Sequence, residues 1–389
     1  MEFELWYLVV LPLVFAAGWF GRGFESRTRA TDNAALPRSY FRGLNLLLND
    51  QHDKAIDAFI EVVKLDPETI ELHHALGNLF RRRGEFDRAV RIHTHLLNRS
   101  DLPASERAQA LSELGQDYLK GGLLDRAEDA FTRLLEHRDQ RFEALRALLR
   151  IYQMEREWLK AIDCARLLER EAGEDHQAAI SHYHCELADI ALGAGRLEEA
   201  QRAIDDALTT DRKSVRALIL AGDLAARRGD PADALTRWQR VEAVSRDHLS
   251  LIADKVTAAL DGLGRRTEAL NWLRRALQDA PSIDMLDSAH RRVLEWQGPA
   301  AAEALVGDEL RRHPSLLGFE RLARARLALN PGDEELKGLS TLLKSHAQKL
   351  ARYRCSRCGF RAREYHWNCP GCTNWDSYPP RRIEELEGQ

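Results

Sequence analysis

The chain has 389 residues, enough for two or three average domains, and is 44% hydrophobic, 30% charged and only 7% aromatic. Its 12 Pro and 24 Gly are too few for a fibrous or disordered chain, and six Cys in this length do not make a disulfide scaffold. A formal net charge of −4 argues against a nucleic-acid binder that works through global positive charge. Ala, Leu, Arg and Glu dominate, which points to helix.

The N-terminal stretch from Phe3 to Gly21 reads FELWYLVVLPLVFAAGWFG, with Glu4 its only charge. As a helix it would be roughly 28 Å long, just enough to cross a hydrocarbon core. Trp6 and Tyr7 stand near one edge and Trp19 near the other, as in an interfacial aromatic belt. A cleaved signal peptide needs a basic flank before the apolar run, and this chain has Glu2 and Glu4 there. The basic flank follows: five arginines against two acids between Arg22 and Arg42, a net +3. The positive-inside rule then predicts one uncleaved span with the N-terminus outside and the remainder in the cytoplasm.

An alanine recurs at Ala55, Ala89, Ala127, Ala161, Ala200, Ala234, Ala269 and Ala302, at spacings of 34, 38, 34, 39, 34, 35 and 33. Five residues earlier stands Gly84, Gly122, Gly195, Gly229 or Gly264; twelve earlier stands Gly43, Gly77, Gly115 or Gly222. Four residues later come Phe59, Phe131, Ile204, Trp238 and Leu273. The pattern predicts pairs of antiparallel helices. The early Gly and the alanine mark their contact, and the middle Gly ends the first helix in a left-handed cap. The large residue fills the gap to the neighbouring pair. Acids such as Asp87, Asp125 and Glu198 open the second helix, where its dipole favours them. The longer spacings imply insertions in the turns near Asp101–Ser105 and Glu171–Asp175. LGNLFRRRGEFDRAVRIHTHLL and LGQDYLKGGLLDRAEDAFTRLL carry the pattern most cleanly, and it resembles the tetratricopeptide repeat. Such arrays bind peptides or proteins on a face lined by first helices and supply no reactive constellation of their own. On that face Asn78, Arg81, Arg82, Arg146 and Arg150 would suit an acidic partner segment. A solvated charged face is the plainer reading of the same residues.

His182, His184 and Cys185 have no third ligand nearby, and Cys164 and Cys185 sit in helical patterns where a free Cys behaves as a small hydrophobe. His73, His74, His93 and His95 have no metal spacing. There is no G-x-S-x-G, no Walker A loop and no H-E-x-x-H, so the chain is not expected to be an enzyme.

The C-terminal segment reads YRCSRCGFRAREYHWNCPGCTNWDSYPP. Cys355-x-x-Cys358 and Cys369-x-x-Cys372 let four thiolates converge on one ion, zinc or iron, in a closed structural site. Gly359 and Gly371 are expected to permit the turns under the two knuckles. Tyr353, Tyr365, Trp367 and Trp375 are expected around the knuckles or against the last repeats. Arg352, Arg354, Arg357, Arg361 and Arg363 form a local basic cluster.

The expected architecture is all-α: a transmembrane anchor at 1–21, a basic juxtamembrane linker at 22–35 and about eight to nine tetratricopeptide repeats, the last degenerate, at 36–348. A four-cysteine metal ribbon, zinc-ribbon or rubredoxin-like, follows at 349–380, and a tail at 381–389. This order of anchor, repeats and ribbon resembles the lipopolysaccharide assembly protein B family of Gram-negative bacteria, through Leu76–His93, Gln116–Phe131 and Tyr353–Cys372. The resemblance implies a single-pass inner-membrane adaptor with cytoplasmic repeats and ribbon. It also implies that the adaptor brings the deacetylase that commits flux to lipid A to an FtsH-type membrane protease, and works near lipopolysaccharide assembly and sensing proteins. An electron-transfer protein with iron in the ribbon and a membrane-tethered nucleic-acid binder are the competing readings.

Overall fold

The computed structural model describes residues 69–387 without a break, and residues 45, 46, 49, 51, 54–58 and 60 before them. The expected anchor and linker lie outside the described residues. Among the described residues no helix is long and apolar enough to cross a membrane.

From residue 70 the chain forms the helix hairpins α1 (Ile70–Arg82) with α2 (Phe86–Leu97) and α3 (Ala104–Lys120) with α4 (Leu124–Leu134), followed by the helices α5 (Arg141–Glu155) and α6 (Trp158–Ala172). There follow α7 (Gln177–Gly193) with α8 (Leu197–Thr210), α9 (Val215–Arg227) with α10 (Pro231–Val244), and α11 (Ala253–Gly262) with α12 (Arg266–Asp279). The last pairs are α13 (Ile283–Gln297) with α14 (Pro299–Arg312) and α15 (Leu316–Leu329) with α16 (Glu334–Ala347). The ribbon adds two-residue strands, β1 (Tyr353–Arg354) and β2 (Arg361–Ala362), and the chain closes on a short helix, α17 (Ile383–Glu387). The chain divides into two compact units, Met1–Ile151 and Tyr152–Gln389.

The repeat pattern has a direct structural cause. All eight phase-marking alanines are fully buried. The middle glycines adopt φ between 71° and 79°, in the left-handed region where a Cβ is penalised. Ahead of α6, Arg156 takes this position with φ 59°, which costs it about 1 kcal/mol relative to Gly. Ser214, Asp230, Ser282, Ser315 and Asp333 cap helix N-termini by accepting from the third backbone N–H.

One expectation about packing can be sharpened and another needs correction. The early glycine comes closest to the large residue four positions after the alanine, within the same hairpin. A Cβ on Gly77 would lie 2.4 Å from His93 Nε2, one on Gly115 2.8 Å from Phe131 Cζ, and one on Gly222 2.2 Å from Trp238 Nε1. The large side chain therefore packs within its own hairpin, and Trp238 also joins the core that holds Val256 and Leu260 of the next. The long spacings are likewise taken up mainly by helix and not by turn. α3 and α7 each have 17 residues, against 13 in α1 and α9, so about one full turn is added.

In the second unit, the first helices of successive hairpins are stitched together by ion pairs. Arg216 on α9 reaches Glu186 (2.8 Å) and Asp189 (2.6 Å) on α7. Lys255 on α11 pairs with Asp223 on α9, Arg291 on α13 with Asp254 on α11 (2.7 Å), and Arg321 on α15 with Asp287 on α13 (2.6 Å). Each rung matches a cation of one helix to an acid of the preceding one, so much of this face is neutralised from within.

Candidate metal centre and its seat on the repeats

The two knuckles are built alike. In the first, Cys355 N–H donates to the Phe360 carbonyl (2.9 Å) and Gly359 N–H to the Cys355 carbonyl (3.0 Å). In the second, Cys369 N–H donates to the Asn374 carbonyl (2.9 Å) and Thr373 N–H to the Cys369 carbonyl (2.8 Å). Gly359 has φ 76°, as expected, but its counterpart in the second knuckle is Thr373, with φ 57°. Gly371 does not supply the turn. It leaves room for Phe360, whose side chain would lie 3.1 Å from a Cβ at that position.

The four sulfur atoms lie within 4.8 Å of one another, and no other group of three or more His, Cys, Asp or Glu among the described residues could hold a metal ion. Cys355 and Cys372 Sγ are 3.8 Å apart, and Cys358 and Cys369 Sγ 3.7 Å. A sulfur tetrahedron about an ion at roughly 2.3 Å has edges of about 3.8 Å, so these distances fit a single tetrahedral ion. The thiols also conflict with one another. Burial opposes ionisation of Cys355, yet hydrogen bonds from Ser377 and from the Cys358 and Arg357 backbone hold its thiol down at about 6. For Cys358 the Phe360 N–H favours the thiolate, but desolvation and the sulfurs of Cys372, Cys355 and Cys369 push it up to about 12. A bound cation removes that conflict by stabilising all four thiolates together. Gly371 N–H (3.4 Å to Cys369 Sγ) and Asn374 Nδ2 (3.3 Å to Cys372 Sγ) orient the sulfurs. The set accommodates one structural ion and leaves no position for substrate.

Tyr353 and Tyr365 pack around the knuckles with Cys355, Cys369 and Cys372, as expected, but the two tryptophans pack elsewhere. Trp375 and Trp367 do not reach for the last repeats; they lie on the middle ones. Trp375 stacks on His182 of α7, with ring centroids 4.7 Å apart and planes 13° apart. It also meets Trp158 of α6 and Tyr183 of α7 edge-on, at 6.2 and 5.9 Å. Arg216 lies over the same ring. Trp367 stacks on His248 in the 3-10 turn Arg246–Leu251, at 5.7 Å and 6°. Asp376 Oδ2 is 2.7 Å from His182 Nε2. His182 is thus no metal ligand but a seat for the ribbon, a role its sequence context did not signal.

A second fastening lies at the C-terminal end. Tyr353 donates to Asp284 Oδ2 (2.6 Å), and Arg382 binds the same carboxylate and covers the Tyr353 ring. Glu385 accepts from Ile283 N–H (3.0 Å) at the start of α13, and Glu384 accepts from Leu316 and Leu317 N–H at the start of α15. Each carboxylate thereby answers orphan donors and the positive end of a helix dipole. Of the ribbon arginines, Arg354 pairs with Glu387 (3.0 Å), whereas Arg357, Arg361 and Arg363 are exposed.

The arginines expected to line a partner groove divide into two kinds. Arg81 is not a free surface cation. It binds Glu113 (2.5 Å) and Asp117 (2.8 Å) on α3 and donates to Asn78 Oδ1 (2.6 Å). Asp117 is fully buried and also accepts from His93 Nδ1 at 2.5 Å. Arg81 and Asn78 thus belong to a network that ties α1 and α2 to α3. Arg82, Arg146 and Arg150 are exposed, the first on α1 and the others one turn apart on α5.

Helix hairpins at a period near 34 residues, fused to a four-cysteine ribbon, define a tetratricopeptide-repeat protein with a C-terminal rubredoxin-type metal module. Tetratricopeptide repeat models match residues 72–108 and 185–247, and a rubredoxin metal binding domain model matches residues 353–379. The chain is 35% identical to lipopolysaccharide assembly protein B of Escherichia coli, over 99% of both chains. It is 29% identical to that of Haemophilus influenzae, over 98% of this chain and 99% of that one. The chain belongs to the lipopolysaccharide assembly protein B family. Among solved structures, a tetratricopeptide repeat protein from Parabacteroides merdae is similar at 14% identity and a TM-score of 0.29, over 79% of this chain and 100% of that one.

Proposed function

We propose that this protein is an inner-membrane adaptor of lipopolysaccharide assembly that recruits proteins through its repeats and does not transform a small molecule. The observation that carries the reading is the similarity to lipopolysaccharide assembly protein B along 99% of the chain, repeats and ribbon together. Residues 3–21 support an anchor, being apolar apart from Glu4, with Glu2 before them and arginines after. The anchor holds the repeats on the cytoplasmic face. There the protein brings the lipid A-committing deacetylase to an FtsH-type protease, which raises their local concentration without any chemistry of its own. Arg82, Arg146 and Arg150 offer an exposed basic face to an acidic partner segment. The metal ion is structural, since all four donors come from the chain.

Cross-linking in intact membranes, followed by capture of the full chain and identification of its partners, tests this reading. The protease and the deacetylase should be recovered together with it. Their absence from cross-links that hold other inner-membrane proteins would overturn the recruitment.

A further inference from the structure

The ribbon and the C-terminal tail touch every hairpin from α7 to α16, and always at the same end. His182 stands in the second turn of α7 and Arg216 in the first turn of α9, and both lie against Trp375. In the turn ahead of α11, His248 stacks on Trp367 and Asp247 pairs with Arg381 (2.9 Å). Asp284, in the first turn of α13, holds Tyr353 and Arg382. The leading N–H groups of α13 and α15 reach Glu385 and Glu384. The contacts therefore run along the N-terminal ends of five successive first helices.

The hairpins themselves are joined only step by step. The main helix-to-helix contacts link neighbouring hairpins. Some of the rungs between first helices are weak: Arg291 and Asp254 are both exposed, and exposed ion pairs hold little. In such a stack, small rotations at each joint add up along the series. A body fastened to all five hairpins limits that sum. The ribbon is such a body because it is held at both ends. Tyr353, two residues before Cys355, is fixed at α13, and Trp375, three residues after Cys372, is seated on α7. The four cysteines lie between, and Cys355 and Cys369 are buried in the ribbon core with Tyr353, Ala362 and Tyr378. Sulfurs gathered at one point make the two fastenings parts of one rigid piece. With the sulfurs apart, only loosened chain connects them.

We propose that the ribbon and tail form a brace that fixes the spacing and tilt of the five hairpins from α7 to α16, so that the state of the cysteine site sets the shape of their first-helix face. The brace acts at a distance: it governs how α7 stands relative to α15, which share no contact of their own in the helix stack.

Double electron–electron resonance on the full chain in detergent tests this. Spin labels are carried on a keto-bearing unnatural residue at Arg202 of α8 and Glu335 of α16, both exposed, so that no cysteine is labelled. The metal-loaded chain should give one narrow distance distribution. Trp375→Ala with Arg382→Ala should widen it about twofold, with helical signal and metal content unchanged. Chelation should widen it as well, with helical signal kept. A distribution that stays narrow in the double variant overturns the proposal. So does one that stays narrow after chelation has released Trp367 and Trp375 to solvent. Widening that comes only with loss of helical signal also overturns it, since the hairpins would then be unfolding and not moving against one another.

Discussion

His182 of α7 lies flat against Trp375 of the ribbon, 4.7 Å between ring centroids, while its Nε2 meets Asp376 at 2.7 Å. Trp375 stands three residues after the last metal-binding cysteine, so the loop that closes around the ion also presents the ring to the repeats. Trp375→Ala removes the stack on His182 and the edge contacts with Trp158 and Tyr183. The expected cost is about 2–3 kcal/mol of docking. Amide exchange should rise through residues 352–382 and at α7, with the metal retained.

Removing the ion should undo this seat from the other side. Cys369→Ser, or a chelator, should leave the repeat helices intact and release the ribbon, so that Trp367 and Trp375 fluorescence shifts to that of exposed indole. Cys164→Ser and Cys185→Ser should keep full metal content, because both thiols are buried in the repeats away from the site. Loss of metal in either of these would contradict the four-cysteine assignment.

Arg81 should behave as a structural residue. Arg81→Met leaves the buried carboxylate of Asp117 with His93 alone, at an expected cost of about 3 kcal/mol to the first unit, read by denaturant unfolding. Arg82→Glu, one residue on and exposed, should stay within about 0.5 kcal/mol of the unaltered chain. A charge-reversal test of partner binding therefore belongs at Arg82 and not at Arg81.

What could be read from the sequence follows from what the period encodes. The alanine phase, the left-handed glycines and the four cysteines each answer a local demand, and each stands where the spacing put it. The inference stopped where a residue's role depends on a partner far along the chain. His182 and Asp376 are 194 positions apart, and Arg81 and Asp117 are 36 apart, so neither pairing leaves a periodic trace. Gly371 misled because a glycine beside a knuckle suggests a turn, whereas here it yields space to Phe360. The alanine period also registers an added helical turn and a longer loop identically, and so concealed the lengthening of α3 and α7.

Acid should weaken the second unit through its buried histidines. His184, His248 and His290 are all held below their ordinary value of 6.5, chiefly because burial disfavours the imidazolium. Each binds a proton more readily in the unfolded chain than in the folded one. Their stabilising contribution is complete above about pH 6.5 and is lost as pH falls through the folded values. Glu309 and Glu385, pushed up by burial, act in the opposite sense: their contribution is complete below about 4.5 and fades as pH rises. The melting temperature should therefore drop between pH 7 and pH 5.5, and His290→Leu should flatten part of that drop. Parallel pH profiles for the two proteins would contradict the assignment.

The adaptor reading makes one demand that no enzyme or electron carrier would: the protein must set the lifetime of another. The measurement is the half-life of the lipid A-committing deacetylase after synthesis is stopped, in cells with and without this protein. Depletion should lengthen the half-life and raise lipopolysaccharide, and overproduction should do the reverse. A deacetylase half-life that does not change when the whole protein is depleted would contradict the account.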